Sequence, residues 1–141
     1  MTLSSNSMTG SNKRIYQTSA GEGIYLVAVV AILCGKDLAL IICGGDRFHI
    51  GAAALAVPRP SLKDPQKISA SASVLTITSH KEDELARRVA LSFSSELNCA
   101  VTATVGIHID NASENDVSIL TSNCFEALNT LRGELQAGKE L

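Results

Sequence analysis

Residues 24–33 are apolar throughout and rich in Val and Ile, which predicts a strand buried on both faces. Gly35-Lys36 suits a two-residue hairpin turn with glycine at its first central position, and residues 38–43 return as a second apolar strand. After Gly44-Gly45-Asp46, residues 48–57 read as a third strand of small side chains, including Gly51, Ala52, Ala53, Ala54 and Ala56. Small side chains there admit close approach by another backbone, a helix or a ligand. Residues 58–69 hold every proline of the chain and predict a long loop, and residues 71–78 a fourth strand. Ser79 and Glu82 have capping-box spacing ahead of a helix to about residue 97, with Leu85, Val89, Phe93 and Leu97 as its buried stripe. Residues 99–109 alternate cleanly. Val101, Ala103, Val105 and Ile107 share one face, while Thr102, Thr104, His108 and Asp110 share the other. A last helix starts near Ser113, with Asp116 as a second cap residue and a stripe of Val117, Leu120, Cys124, Leu128, Leu131 and Leu135.

The element order is therefore ββββαβα. It predicts an α+β fold, an antiparallel sheet of about five strands with two helices packed on one face. Residues 1–20 are expected to be a flexible polar tail, 21–137 a single domain, and 138–141 a short tail. The first two strands are apolar on both faces, and two helices on one side leave the other face uncovered. A homodimer is the economical way to cover it.

Composition narrows the function classes. The net charge of -2 and 4% aromatic content argue against nucleic-acid binding, which needs a basic stripe or stacking platforms. The longest apolar run is about half the ~20 residues of a membrane span. The N-terminus has no apolar signal core, and Cys34, Cys43, Cys99 and Cys124 form no C-x-x-C pair. These features fit reduced thiols in a cytoplasmic protein.

The candidate chemistry lies in three histidines near predicted strand ends, each with a carboxylate close in sequence: Asp46 before His49, Glu82 after His80, and Asp110 after His108. Imidazoles with carboxylate supports suit a metal, so His49, His80 and His108 are candidate ligands of a divalent ion. Solvated or packing histidines are the plain alternative. Gly44-Gly45 offers backbone N–H groups, and Arg47 and Arg59 could pair with a phosphate; an ordinary hairpin turn explains the glycines equally well. The Walker and G-x-G-x-x-G patterns are missing. Glu82 or Asp110 could serve as a base in a small metal-dependent hydrolase or lyase.

Four motifs together carry a family resemblance: Phe48-His49-Ile50-Gly51-Ala52, Pro58-Arg59-Pro60-Ser61-Leu62, His80-Lys81-Glu82-Asp83-Glu84, and Gly106-Ile107-His108-Ile109-Asp110-Asn111. They resemble the prenylated-flavin chaperones, small LpdD-like proteins associated as the D subunit with gallate-type decarboxylases. The resemblance spans about residues 23–131. It implies the fold of the dimeric proteasome assembly chaperones. It further implies non-enzymatic binding of reduced prenylated FMN, delivery to a UbiD-type decarboxylase, and a metal ion that helps hold the flavin phosphate. The matching positions are His49, His80, His108, Asp110 and Asn111, with Arg59 and Ser61 from the proline segment; Gly45 joins them as the backbone donor of the Gly-Gly turn. A protein-interaction chaperone without a small ligand is the alternative.

Overall fold

The computed structural model describes residues 13–77 and 81–139. Six strands form one sheet: β1 (Ile15–Ala20), β2 (Val27–Cys34), β3 (Asp37–Gly45), β4 (Ala52–Pro60), β5 (Ile68–Thr76) and β6 (Val101–His108). Two helices, α1 (Asp83–Leu97) and α2 (Glu114–Lys139), complete the α+β architecture. The spatial order is β1-β2-β3-β6-β4-β5. All neighbouring pairs are antiparallel except β3–β6, which is parallel.

Two sequence expectations need correction here. The sheet has six strands, because residues assigned to the polar tail form β1. Its pattern Ile-Tyr-Gln-Thr-Ser-Ala buries Tyr16, Thr18 and Ala20, and the Thr18 hydroxyl satisfies itself by donating to the Ala127 carbonyl at 2.8 Å. The sheet is also mixed rather than an antiparallel meander. The chain returns from β5 through α1, and this crossover inserts β6 between β3 and β4, parallel to β3.

The strands alternate between two faces. Val27, Val29, Leu38, Leu40, Ile42, Ala54, Val101, Ala103 and Val105 point to the helices and are fully or almost fully buried. From α1 the core receives Val89 and Phe93, and from α2 Cys124, Leu128 and Leu131. Val117, assigned to the α2 stripe, is exposed at the helix start. The expected hairpin turn is present: Cys34 pairs with Asp37 around Gly35, whose φ is +63°. The expected α2 cap is present too. Ser113 Oγ accepts the Asp116 N–H at 3.1 Å, and Asp116 Oδ2 accepts the Ser113 N–H at 2.9 Å. Helix α1 begins at Asp83, later than the capping-box reading; Ser79 and His80 lie outside the described residues.

The proline loop is shorter than expected, residues 61–67, because both of its ends are strand. Pro58 and Pro60 lie in β4, which contacts β6 only up to Ala56. Beyond that point one side of β4 is free, and a residue without an N–H costs no ladder bond there.

Candidate functional site

One end of the sheet gathers the C-terminal ends of β3 and β6, the start of β4 and the first turns of both helices. Residues 46–51 connect β3 to β4 across the end of β6. Asp46 N–H donates to the His108 carbonyl at 2.8 Å, and Gly51 N–H donates to the Val105 carbonyl at 2.9 Å. Between these anchors the His49 carbonyl lies directly on Gly106, where a Cβ would collide with it. Gly45 is equally constrained, with φ +87° and the His108 backbone against its α-carbon. These glycines let the connection press onto β6 and bring His49 beside His108.

The two imidazoles stand edge to face, with ring centroids 5.8 Å apart. Each meets a carboxylate. His49 Nε2 lies 2.9 Å from Glu82 Oε1, and both side chains are mostly buried, at 19% and 12% exposure. His108 Nε2 shares a 2.7 Å hydrogen bond with Asp110 Oδ1, which also pairs with Arg47 at 3.2 Å. The His108 hydrogen bond and then the Arg47 charge hold the Asp110 carboxyl below the usual carboxylate range. Asp110 N–H donates to Asp46 Oδ2 at 3.2 Å, which ties the β6–α2 turn to the β3–β4 connection. Asn111 adopts a left-handed conformation in that turn, with φ 52°.

The carboxylate partners differ from those nearest in sequence. His49 meets Glu82, not Asp46, because the start of α1 is carried back over Gly51. A Cβ at Gly51 would run into the Glu82 carboxylate. Two adjacent small positions, Gly51 and Ala52, were the available signal for this approach.

A cleft of about 400 Å³ opens beside the pairs, between the first turns of α1 and α2. Leu85, Ile107, Ile109, Val117 and Leu120 give it apolar walls, and Lys81, Glu82 and His108 stand at its polar side. The volume falls at the lower end of the ~300–1,000 Å³ range of small-molecule sites. Outside the cleft lining, Tyr25 OH donates to Asp116 Oδ1 at 2.7 Å, fastening the start of α2 to the segment before β2.

Of the sequence-predicted site residues, His49, His108, Asp110, Asn111 and Gly45 converge at this end. Arg59 and Ser61 do not. Arg59 is seven residues along β4 from Ala52, about 23 Å at ~3.3 Å per residue. Its guanidinium is engaged locally, with Ser71 Oγ at 2.7 Å and the Pro60 carbonyl at 3.1 Å. Ser61 Oγ accepts the Lys63 N–H at 3.3 Å within its own turn. The family resemblance groups these two with the histidines, whereas β4 carries Arg59 and the following Ser61 away from them within one chain. His80, the third proposed metal ligand, lies outside the described residues. Among the described residues no group of three or more His, Cys, Asp or Glu is arranged to hold a metal ion. No described helix is long and apolar enough to cross a membrane.

A single mixed β-sheet under two helices, with a polar cluster at one end of the sheet, defines a small two-layer α+β fold. In its fold the chain is similar to a subunit of a chaperone complex for yeast 20S proteasome assembly, with a TM-score of 0.55 and 16% identity over 87% of this chain and 99% of that one. At that identity the likeness concerns the fold alone. Residues 21–136 match the prenylated flavin chaperone LpdD-like domain, and the chain belongs to that family. Comparison with curated proteins gives no match.

Proposed function

We propose that this protein is a non-enzymatic carrier of reduced prenylated FMN that hands the cofactor to a UbiD-type decarboxylase. The observation that carries the reading is the convergence of His49–Glu82 and His108–Asp110–Arg47 beside an apolar cleft in a chain of this family. A carrier of a reactive flavin has to shield the ring and grip the phosphate. The walls of Leu85, Ile107, Ile109 and Leu120 suit the first need. Lys81, Arg47 and the imidazoles suit the second, together with the backbone N–H groups at the start of α2. The carboxylates already have partners: Asp110 has Arg47 and His108, and Glu82 has His49. An arriving phosphate would compete for those cations, which makes the grip reversible, as delivery requires. Arg59 and Ser61 enter this site only if a second protomer supplies them.

The carrier is proposed to act as a homodimer through the open face of the sheet. Ile32, Ile41, Leu55, Val57 and Leu75 are exposed there on alternating strand positions. Six strands ~4.8 Å apart and about eight residues long make a face of roughly 750 Å², close to the ~800 Å² per partner of a standard interface.

Anaerobic calorimetry with reduced prenylated FMN tests the reading, with and without chelator so that a phosphate-bound divalent ion is scored in the same experiment. Binding without turnover, followed by activation of an apo-decarboxylase, is expected. No flavin binding under either condition sinks it. The open apolar face also favours a second reading, an assembly chaperone with no small ligand. In that case His108→Ala would leave partner binding intact.

A further inference from the structure

At the opposite end of the sheet, roughly 23 Å along β6 from His108 at ~3.3 Å per residue, the helix-sheet core is left open. Here the C-terminal ends of α1 and α2 meet the β2–β3 hairpin around a cavity of about 380 Å³. Its apolar lining includes Tyr16, Leu38 and Leu135, each at most 5% exposed, so an aliphatic chain entering it would extend the existing core. Its rim is basic. Lys13, Lys36 and Lys139 all line it, and among the described residues no Asp or Glu does. The Lys13 ammonium sits 4.6 Å from the centre of the Tyr16 ring, at the cavity wall.

Two features oppose an anion at this end. The helix C-termini carry roughly half a negative charge each. Asp37 is also near, and its carboxylate keeps its negative charge while accepting the Ala100 N–H at 3.0 Å. Lys139 terminates α2 and offsets its dipole directly, and among the described residues Lys13 and Lys36 outnumber Asp37. A cavity with an apolar interior and a cationic mouth selects a molecule with the reverse arrangement, an aliphatic tail and an anionic head.

We infer that this cavity is a second ligand site, for a medium-chain aliphatic carboxylate, separate from the histidine cluster. The carboxylate would sit among Lys13, Lys36 and Lys139, with its tail over Tyr16, Leu38 and Leu135.

Cys99 provides the test, because it lines the cavity, whereas the exposed Cys34 of the adjacent hairpin is not among the lining residues. The full chain is treated with iodoacetamide with and without octanoate, and alkylation at each cysteine is read by peptide mass spectrometry. Octanoate is expected to slow labelling of Cys99 at least tenfold relative to Cys34. The pair Lys13→Glu and Lys139→Glu, both at exposed positions, should abolish that protection without unfolding the chain. Octanol at equal concentration should protect weakly. The inference is overturned if millimolar octanoate leaves Cys99 labelling unchanged. It is equally overturned if octanol or octylamine protects as well as octanoate, or if the double variant retains full protection, since the cavity would then be an apolar void without anion recognition.

Discussion

The two faces of the sheet are built from the same strands and obey different rules. On the helix side, alternate residues are small or branched and almost completely buried, from Val27 and Leu40 to Ala54 and Val105. On the other side the intervening positions are just as uncharged, with Ala28, Val30, Ile41, Ala53 and Leu55, yet no described residue covers most of them. The exception is the end of β6, where the connection carrying His49 presses on Gly106. Apolar character alone therefore does not mark the core of this protein. The covering element decides which apolar face is core and which is exposed surface.

Breaking the covered face should have the largest effect. Phe93 is fully buried and lies under the Arg132 guanidinium, 4.3 Å from its ring centre. Phe93→Ala is expected to cost about 3–5 kcal/mol in chemical denaturation. The matching change on the open face, Leu55→Asp, should alter the stability of a monomer by less than ~0.5 kcal/mol while converting a dimer to monomer in light scattering. Equal destabilisation by both would show that the open face is packed within one chain.

Gly106→Ala probes the place where the two faces meet. The new methyl group collides with the His49 carbonyl, so the connection must lift from β6, at an expected cost of about 1–3 kcal/mol. Flavin binding should weaken with it, because His49 moves away from Glu82. Unchanged calorimetric affinity would separate the glycine contact from the site. Thr18→Val should cost about 1 kcal/mol, since it strips a buried hydrogen bond to the Ala127 carbonyl, which keeps its place in the α2 ladder. The smallest effect belongs to Asp110. Its carboxyl is held below the ordinary value by His108 and Arg47, so its contribution to stability is fully present above the unfolded value. That contribution is lost as pH falls through the lowered folded value. A carbon-detected titration should place the Asp110 midpoint below that of the unfolded chain; a midpoint at or above it would contradict the pairing.

Much of the architecture was legible in local patterns. The Gly35 turn, the alternation of β6 and the Ser113–Asp116 cap each depend on residues a few positions apart, and each is present. What escaped was non-local. Nothing near residues 101–108 says that they will enter between β3 and β4. Strand β1 was hidden because its inward positions include Thr18, whose polarity is satisfied 109 residues away. At the site, His49, His108 and Asp110 are singled out by sequence and lie near one another. The pairing of His49 with Glu82 is not singled out, since it depends on how far the start of α1 is carried back over Gly51. The prolines misled about residues 58–60, because a strand that runs past its neighbour tolerates proline as well as a loop does.

The insertion of β6 also sets an order of events for a chain emerging from the ribosome. By the end of β5 the two hairpins, β2–β3 and β4–β5, have all of their own residues but no edge at which to join. Only when residues 101–108 emerge can the halves become one sheet, through a parallel pairing that closes a long loop. Such topologies fold slowly and keep apolar strand edges waiting. A protein with this strand order is thus itself vulnerable to association for as long as its central strand is missing.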